Sequence, residues 1–181
     1  MGTRRRQLTL ERVARLIGVD RRPRDGDQTS DALERQLAAS GAQLLVAALD
    51  DIAAGRSSET PQDDAAATYA PRLTKDDGRI DWRWPAVRIH NLIRGLHPWP
   101  HAVAFADGTR IILHRSRPAD QASTSAPGTI LDASTDGIRV ATGSGTLDLL
   151  ELQLEGKRPM PARDFLAGHP LRPGTVFQPS A

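Results

Sequence analysis

The hydrophobic period of this chain changes near Pro100. Before it, apolar residues recur at helical steps; beyond it, they come in short alternating runs. In DQTSDALERQLAASGAQLLVAALDDIAAG (27–55), Leu33 and Leu37 share a face, followed by Leu44, Leu45, Ala48, Leu49 and Ile52. This spacing predicts two short amphipathic helices. Thr29 or Ser30 can cap the first, and Asp31 suits its first turn. Gly41 is expected to interrupt as a C′ glycine, with the second helix ending near Gly55. Two such helices need another surface to bury against.

RSSETPQDDAAA (56–67) is polar and contains a proline, and reads as a linker. A strap follows, ATYAPRLTKDDGRIDW (67–82), with Pro71, a DDG turn and a buriable Trp82. From Trp84 onward, PAVRIHNLIRGLHPWP reads as one helix. Pro85 lies in its first turn, Val87, Ile89, Leu92, Ile93 and Leu96 face a core, and His97-Pro98 ends it.

Strands follow. AVAF (102–105), a DGT turn and RIILH (110–114) read as a hairpin. A Pro/Ser/Thr/Ala-rich loop is expected over 116–127. GTILDA (128–133), GIRVATG (137–143) and GTLDLLELQLEG (145–156) supply three more strands. In the last, the apolar phase changes at Leu150-Glu151, which predicts a bulge. PARDFLAGH (161–169) reads as a short helix or turn, and LRPGTVF (171–177) closes the chain. The fold class is therefore α+β, mainly β: a small closed or partly open barrel with a helix at its front.

Composition narrows the classes. At 181 residues the chain holds one or two domains, and with 4% aromatics its core must rest on Leu, Ile, Val and Ala. No apolar run approaches the ~18 residues that span a bilayer. No apolar h-region follows Met1, so no secretory signal is expected. Without cysteine there is no disulfide, thiolate metal site or Cys nucleophile. The net charge of +2 is unevenly spread. Residues 1–24 hold eight Arg and two acids; residues 25–78 hold four basic and eleven acidic residues; residues 79–181 hold twelve basic and nine acidic. An anionic partner is expected to meet the Arg-rich start or the C-terminal half, not the middle. Residues 1–26 themselves read as a poorly ordered segment, a nucleic-acid-binding arm or a presequence, the last weakened by Glu11 and Asp20.

Enzyme motifs are missing: no G-x-S-x-G, H-E-x-x-H, Walker A loop or G-x-G-x-x-G. GSGT (143–146) lies between strands and reads as a hairpin turn. Asp50-Asp51 and Asp76-Asp77 read as surface and turn carboxylates. Of five histidines, His97 and His101 lie four apart, but Pro98 and Pro100 bar the helix that would align two ligands, so no metal site is expected. His90, on a helix, and His114, on a strand, are expected to be satisfied or exposed polar residues. Nucleic-acid binding fits better. Arg94 ends a helix, Lys157-Arg158 lie in a GKRPMP loop, and Arg72, Lys75 and Arg79 punctuate the strap. Arg110, Arg115, Arg117 and Arg139 lie in or beside strands. Such cations can follow a phosphate backbone, or simply form a solvated surface.

Taken in order, the strap, NLIRGLHPWPHA, APGTIL, GIRVATGSGTLDLLELQLEGKRPMPARDFL and LRPGTVF resemble the C-terminal half of the methionyl-tRNA formyltransferase family. Residues 27–55 resemble the last helical stretch of that family's catalytic domain, and the match runs from about Asp27 to Phe177. Residues 1–26, the Arg-rich segment, resemble no part of the family; beyond them the resemblance implies a helical remnant of a Rossmann-like formyltransferase domain with its linker (27–66), and a strap with an OB-like tRNA-binding barrel (67–181). It implies a cytoplasmic protein of translation initiation whose family transfers a formyl group from 10-formyltetrahydrofolate to initiator methionyl-tRNA. It makes Arg72, Lys75, Arg94, Lys157 and Arg158 candidates for tRNA contact. Pro98, Trp99 and Pro100 would form a rigid apolar turn. The family's catalytic Asn, His and Asp do not precede Asp27. The chain is therefore expected to keep the tRNA-binding half, to lack the active site, to bind no cofactor or metal itself, and to be inactive alone, with a separately encoded catalytic domain as a possible partner. The alternatives are a stand-alone RNA-binding module and the barrel of another formyltransferase, acting on a sugar nucleotide or folate.

Overall fold

The structure, a computed structural model, describes residues 27–57, 61 and 63–178. The expectation for residues 1–26 falls outside them. The chain divides into two units between Pro71 and Arg72.

In the first unit, one helix, α1, runs unbroken over Ser30–Ala53. The break expected at Gly41 does not occur. A lone glycine inside a helix costs only about 1 kcal/mol against alanine, and the flanking Ala, Leu and Gln residues sustain the helix through it. The stop expected near Gly55 is present. Gly55 takes φ 69°, its N–H donates to the Ile52 carbonyl, and the Arg56 N–H donates to the Asp51 carbonyl. This is a Schellman cap, closed further by the Arg56–Asp51 ion pair at 2.7 Å. Thr29 is the N-cap residue, but its hydroxyl donates to Asp31 rather than capping the backbone. Leu37, Leu45, Val46, Leu49 and Ile52 are all exposed. Beyond α1, Asp63 accepts from the Ala65 N–H and starts a single 3-10 turn, Asp64–Ala66.

The second unit holds the sheet. Helix α2 (Ala86–Gly95) is followed by β1 (Ala102–Ala106), β2 (Thr109–Ala119), β3 (Ile130–Ser134), β4 (Gly137–Ala141), β5 (Thr146–Leu154), β6 (Met160–Pro161) and helix α3 (Ala162–Gly168). All pairings between these strands are antiparallel, in the order β1-β2-β5-β4-β3, with β6 on β5. The C-terminal segment ties the two edges together. Gln178 exchanges backbone hydrogen bonds with Phe105 on β1, while Phe177 N–H donates to Gly128 and Ile130 N–H to Thr175, next to β3. Pairing both edges gives the partly open barrel expected of the pattern and leaves less free strand edge.

Local signals explain most elements. Pro85 caps α2 and fixes its entry. The Ala86 N–H, which has no partner within the helix, donates to the Ser144 carbonyl in the β4–β5 turn at 2.9 Å. Ile89 and Ile93 of α2 are buried against the sheet; Val87, expected to face the core, is instead exposed because it falls on the far side of the helix. Strand β2 extends to Ala119, through part of the expected 116–127 loop, because β5 supplies partners as far as Thr146. The bulge expected at Leu150-Glu151 is present: Leu152 pairs Leu113 and Leu149 pairs Ser116, so the ladder slips between them. Leu147, Leu149 and Leu152 are fully buried on both sides of that slip.

Candidate functional site

The region with the most unusual chemistry forms where α2 ends. The Leu96 N–H closes the helix on the Leu92 carbonyl, and the chain then turns through His97-Pro98 and Trp99-Pro100, both cis, before entering β1. The His101 N–H returns to the Leu96 carbonyl at 3.0 Å, with His101 at φ 69°, in the left-handed region. The strap presses on this turn from outside. A Cβ on Gly78 would lie 2.1 Å from the His101 carbonyl oxygen, so the DDG turn requires glycine there.

His114 joins from β2. The β2–β5 ladder skips it, pairing Leu113 and Arg115 but leaving His114 unmatched. Such an irregularity re-aims a side chain. The three imidazoles meet in edge and tilted contacts: 4.9 Å between the His101 and His114 ring centres, 5.4 Å between His97 and His101, and 5.7 Å between His97 and His114. One ring nitrogen from each lies within 4.8 Å of the others. The prolines do bar a helical register, but the third imidazole comes from a strand, and the turn itself folds His97 and His101 together. The expected hairpin register could have placed His114 opposite His101, but nothing along the chain brings His97 beside them. His114 Nε2 lies 2.7 Å from Gln153 Oε1, and the Gln153 amide nitrogen donates to the Lys157 carbonyl. That second bond orients the amide, so Gln153 Oε1 accepts a hydrogen bond from His114 Nε2–H and leaves Nδ1 as the lone-pair nitrogen. Burial first, then the His114, His97 and Arg110 charges, hold the His101 imidazole below its ordinary 6.5. The helix histidine, His90, is buried with Nδ1 3.1 Å from the Ser116 hydroxyl, a satisfied core polar group.

The predicted tRNA-contact residues lie on segments that lead to this cluster. Arg72 and Lys75 lie exposed in the strap just before Gly78, which abuts His101. Lys157 and Arg158 lie exposed in the β5–β6 turn, where the Lys157 carbonyl holds Gln153 against His114. Arg94 is half-buried in the last turn of α2, three residues before His97, its Nε donating to Asn91 Oδ1 at 2.9 Å. Several other cations are neutralised. Arg79, Arg83, Arg110 and Arg163 pair with Asp76, Asp81, Glu155 and Asp164. Arg117 and Arg139 both reach Asp148, at 3.3 and 2.7 Å. Arg72, Lys75, Arg115, Lys157, Arg158 and Arg172 have no ion pair among the described residues. Sequence reasoning missed Asp148, a side chain only 7% exposed that sits on a sheet face between two arginines. Burial pushes its carboxyl up, but the Arg139 and Arg117 hydrogen bonds and charges outweigh that and hold it below the ordinary 3.8.

Fold and surface together define a small antiparallel barrel domain carrying exposed cations that have no ion pair among the described residues. Residues 72–170 match the family model of the formyl transferase C-terminal domain, and the chain belongs to that family. It is 44% identical to the methionyl-tRNA formyltransferase of Citrifermentans bemidjiense over 86% of this chain and 48% of that protein. It is 45% identical to that of Trichlorobacter lovleyi over 84% of this chain and 48% of the relative. The chain thus spans about half the length of the curated relatives it matches. Among solved structures, a variant of HypX from Aquifex aeolicus superposes with TM-score 0.58 at 16% identity, over 86% of this chain and 30% of the other. HypX has also been solved in complex with tetrahydrofolic acid, with TM-score 0.52 to this chain, 17% identity, and coverage of 68% of this chain and 22% of that one. These two likenesses concern the fold.

Proposed function

We propose that this chain provides the tRNA-gripping half of a cytoplasmic methionyl-tRNA formyltransferase acting in translation initiation. The observation that carries the reading is the set of unpaired exposed cations, Arg72, Lys75, Lys157 and Arg158, on either side of the turn that ends α2, while most arginines around them are spent on carboxylates. Cations without a carboxylate partner are the ones free to displace counterions from a phosphate backbone. Arg94 lies in the last turn of α2, three residues before His97.

The barrel's contribution is positioning. Holding the acceptor end of initiator methionyl-tRNA in one orientation turns a bimolecular encounter with the formyl donor into an oriented one. The donor, 10-formyltetrahydrofolate, belongs to the catalytic part of the family. One open pocket among the described residues, lined by Pro85, Val87, Pro118, Ala119, Asp120 and Ser144, carries no cationic side chain to hold a folate carboxylate. The exposed apolar residues of α1 fit the reading: a helix at the end of a catalytic domain would bury them against the rest of that domain.

The test is a filter-binding titration of the chain against initiator methionyl-tRNA and an elongator tRNA at two salt concentrations. Salt-sensitive binding with a preference for the initiator supports the reading. Salt-sensitive binding without preference replaces it with a general RNA-binding module, and no binding at low salt overturns it. In a formyl-transfer assay the 181-residue chain alone is expected to give no rate above blank.

A further inference from the structure

We propose that His97, His101 and His114 form a three-histidine site for a divalent transition-metal ion of the zinc class. This goes beyond the tRNA reading and does not depend on it.

Three features carry the inference. One nitrogen from each ring lies within 4.8 Å of the others, although two residues come from the turn before β1 and the third from β2. A tetrahedral zinc ion with bonds of about 2.0–2.1 Å sets its ligand nitrogens about 3.3 Å apart, so closure needs movements of at most about 1.5 Å, within the reach of ring rotation. The His101 Nδ1 is buried with no hydrogen-bond partner among the described residues, a polar atom that a metal would satisfy. Finally, Gln153 already plays the part that an outer-shell residue plays at metal sites. Held by the Lys157 carbonyl, it accepts a hydrogen bond from His114 Nε2–H, fixes the tautomer and leaves Nδ1 to ligate.

The donor set selects the ion. Three neutral imidazoles, with no carboxylate in the cluster, suit zinc, copper, nickel or cobalt and are poor ligands for magnesium or calcium. Three protein ligands leave a fourth position for water or another oxygen ligand. The nearby Arg110 guanidinium, which would repel a cation, is paired with Glu155 at 2.8 Å. A bound ion would cross-link the turn after α2 to β2 and so stiffen the surface between the strap cations and Lys157-Arg158.

The experiment is equilibrium dialysis of the tag-free full chain against zinc chloride, with cobalt(II) absorption as a second readout of geometry. The expected result is one zinc per chain and a cobalt spectrum of tetrahedral intensity. His101→Gly suits the φ of 69° and removes one ligand; it is expected to weaken zinc binding at least about 100-fold. His114→Gln is a second ligand variant should the first fail to fold, with the same expected loss. His169→Ala, at the end of α3 and outside the cluster, leaves the affinity unchanged. Failure of the wild-type chain to bind zinc, or binding that survives in the folded ligand variants, overturns the proposal. Neither result bears on tRNA binding, which the filter assay reads separately.

Discussion

Trp82 and Phe177 stack, with ring centres 5.3 Å apart and planes 18° from parallel. They come from opposite ends of the domain: one ends the strap, the other sits in the segment that ties β1 to β3. Both are nearly fully buried, at 4% and 2% exposure. The pair therefore fastens the strap and the barrel's closing segment to one core. Phe177→Ala removes that contact and opens a cavity where little can collapse. It is expected to cost about 3–5 kcal/mol in a denaturant titration, at the upper end for a core truncation. A loss below about 1 kcal/mol would mean that the closing segment contributes little to the fold.

Two glycines should respond in opposite directions. A Cβ on Gly143 would lie 1.7 Å from the Arg83 carbonyl oxygen, where the β4–β5 turn takes the strap's backbone. The Gly143 N–H donates there to the Trp82 and Trp84 carbonyls. Gly143→Ala is expected to destabilise the barrel by about 3 kcal/mol. At Gly41, inside α1, a Cβ would meet nothing within 4 Å. Gly41→Ala is expected to add about 1 kcal/mol of helix stability, visible as higher helicity and a later α1 melt by circular dichroism.

Asp148 should make the barrel acid-sensitive. Its folded carboxyl lies below the ordinary 3.8, so the unfolded chain takes up the proton first as the pH falls. The stabilisation is complete above that ordinary value and is lost as pH drops through the folded one. Asp148→Asn is expected to flatten the dependence of unfolding free energy on pH below about pH 4. Arg139→Ala leaves the buried carboxylate with Arg117 alone, at 3.3 Å, and is expected to cost about 1–3 kcal/mol at neutral pH. An unchanged acid limb in Asp148→Asn would show that other carboxylates govern it.

The cations should separate by pairing state. Lys157→Ala and Arg158→Ala, which break no ion pair, are each expected to weaken tRNA binding and reduce the magnitude of its logarithmic salt slope by about 1. Arg163→Ala, whose guanidinium sits 3.1 Å from Asp164, is expected to change the slope little. Equal effects from all three would remove pairing state as the determinant of the interface.

Much of the domain was legible along the chain because its signals are local. Pro85, the Asp107-Gly108 turn, the phase change at Leu150-Glu151 and the Gly55 stop each act on neighbouring backbone, and each operates where the pattern places it. The ordered motifs from the strap to LRPGTVF likewise pointed to the formyl transferase family. Local signals misled where a small cost was overridden: Gly41 does not break α1, and β2 continues past Ser116 because β5 offers it partners. What the tertiary structure alone decided depends on contacts between distant residues. His114 meets His101 because the β1–β2 register that pairs Ala102 with Leu113 sets the next two residues opposite each other, and the turn after α2 then folds His97 onto them, which no periodicity describes. Asp148 is buried because Arg117 and Arg139 reach it across the sheet, whereas on its own strand it is one polar residue in an alternating run. The sequence determined which segments form helices and strands, since backbone preference is read within a few residues. Which side chains share a site was decided by strand pairing and by closure of the barrel, because those bring together groups that the chain keeps far apart.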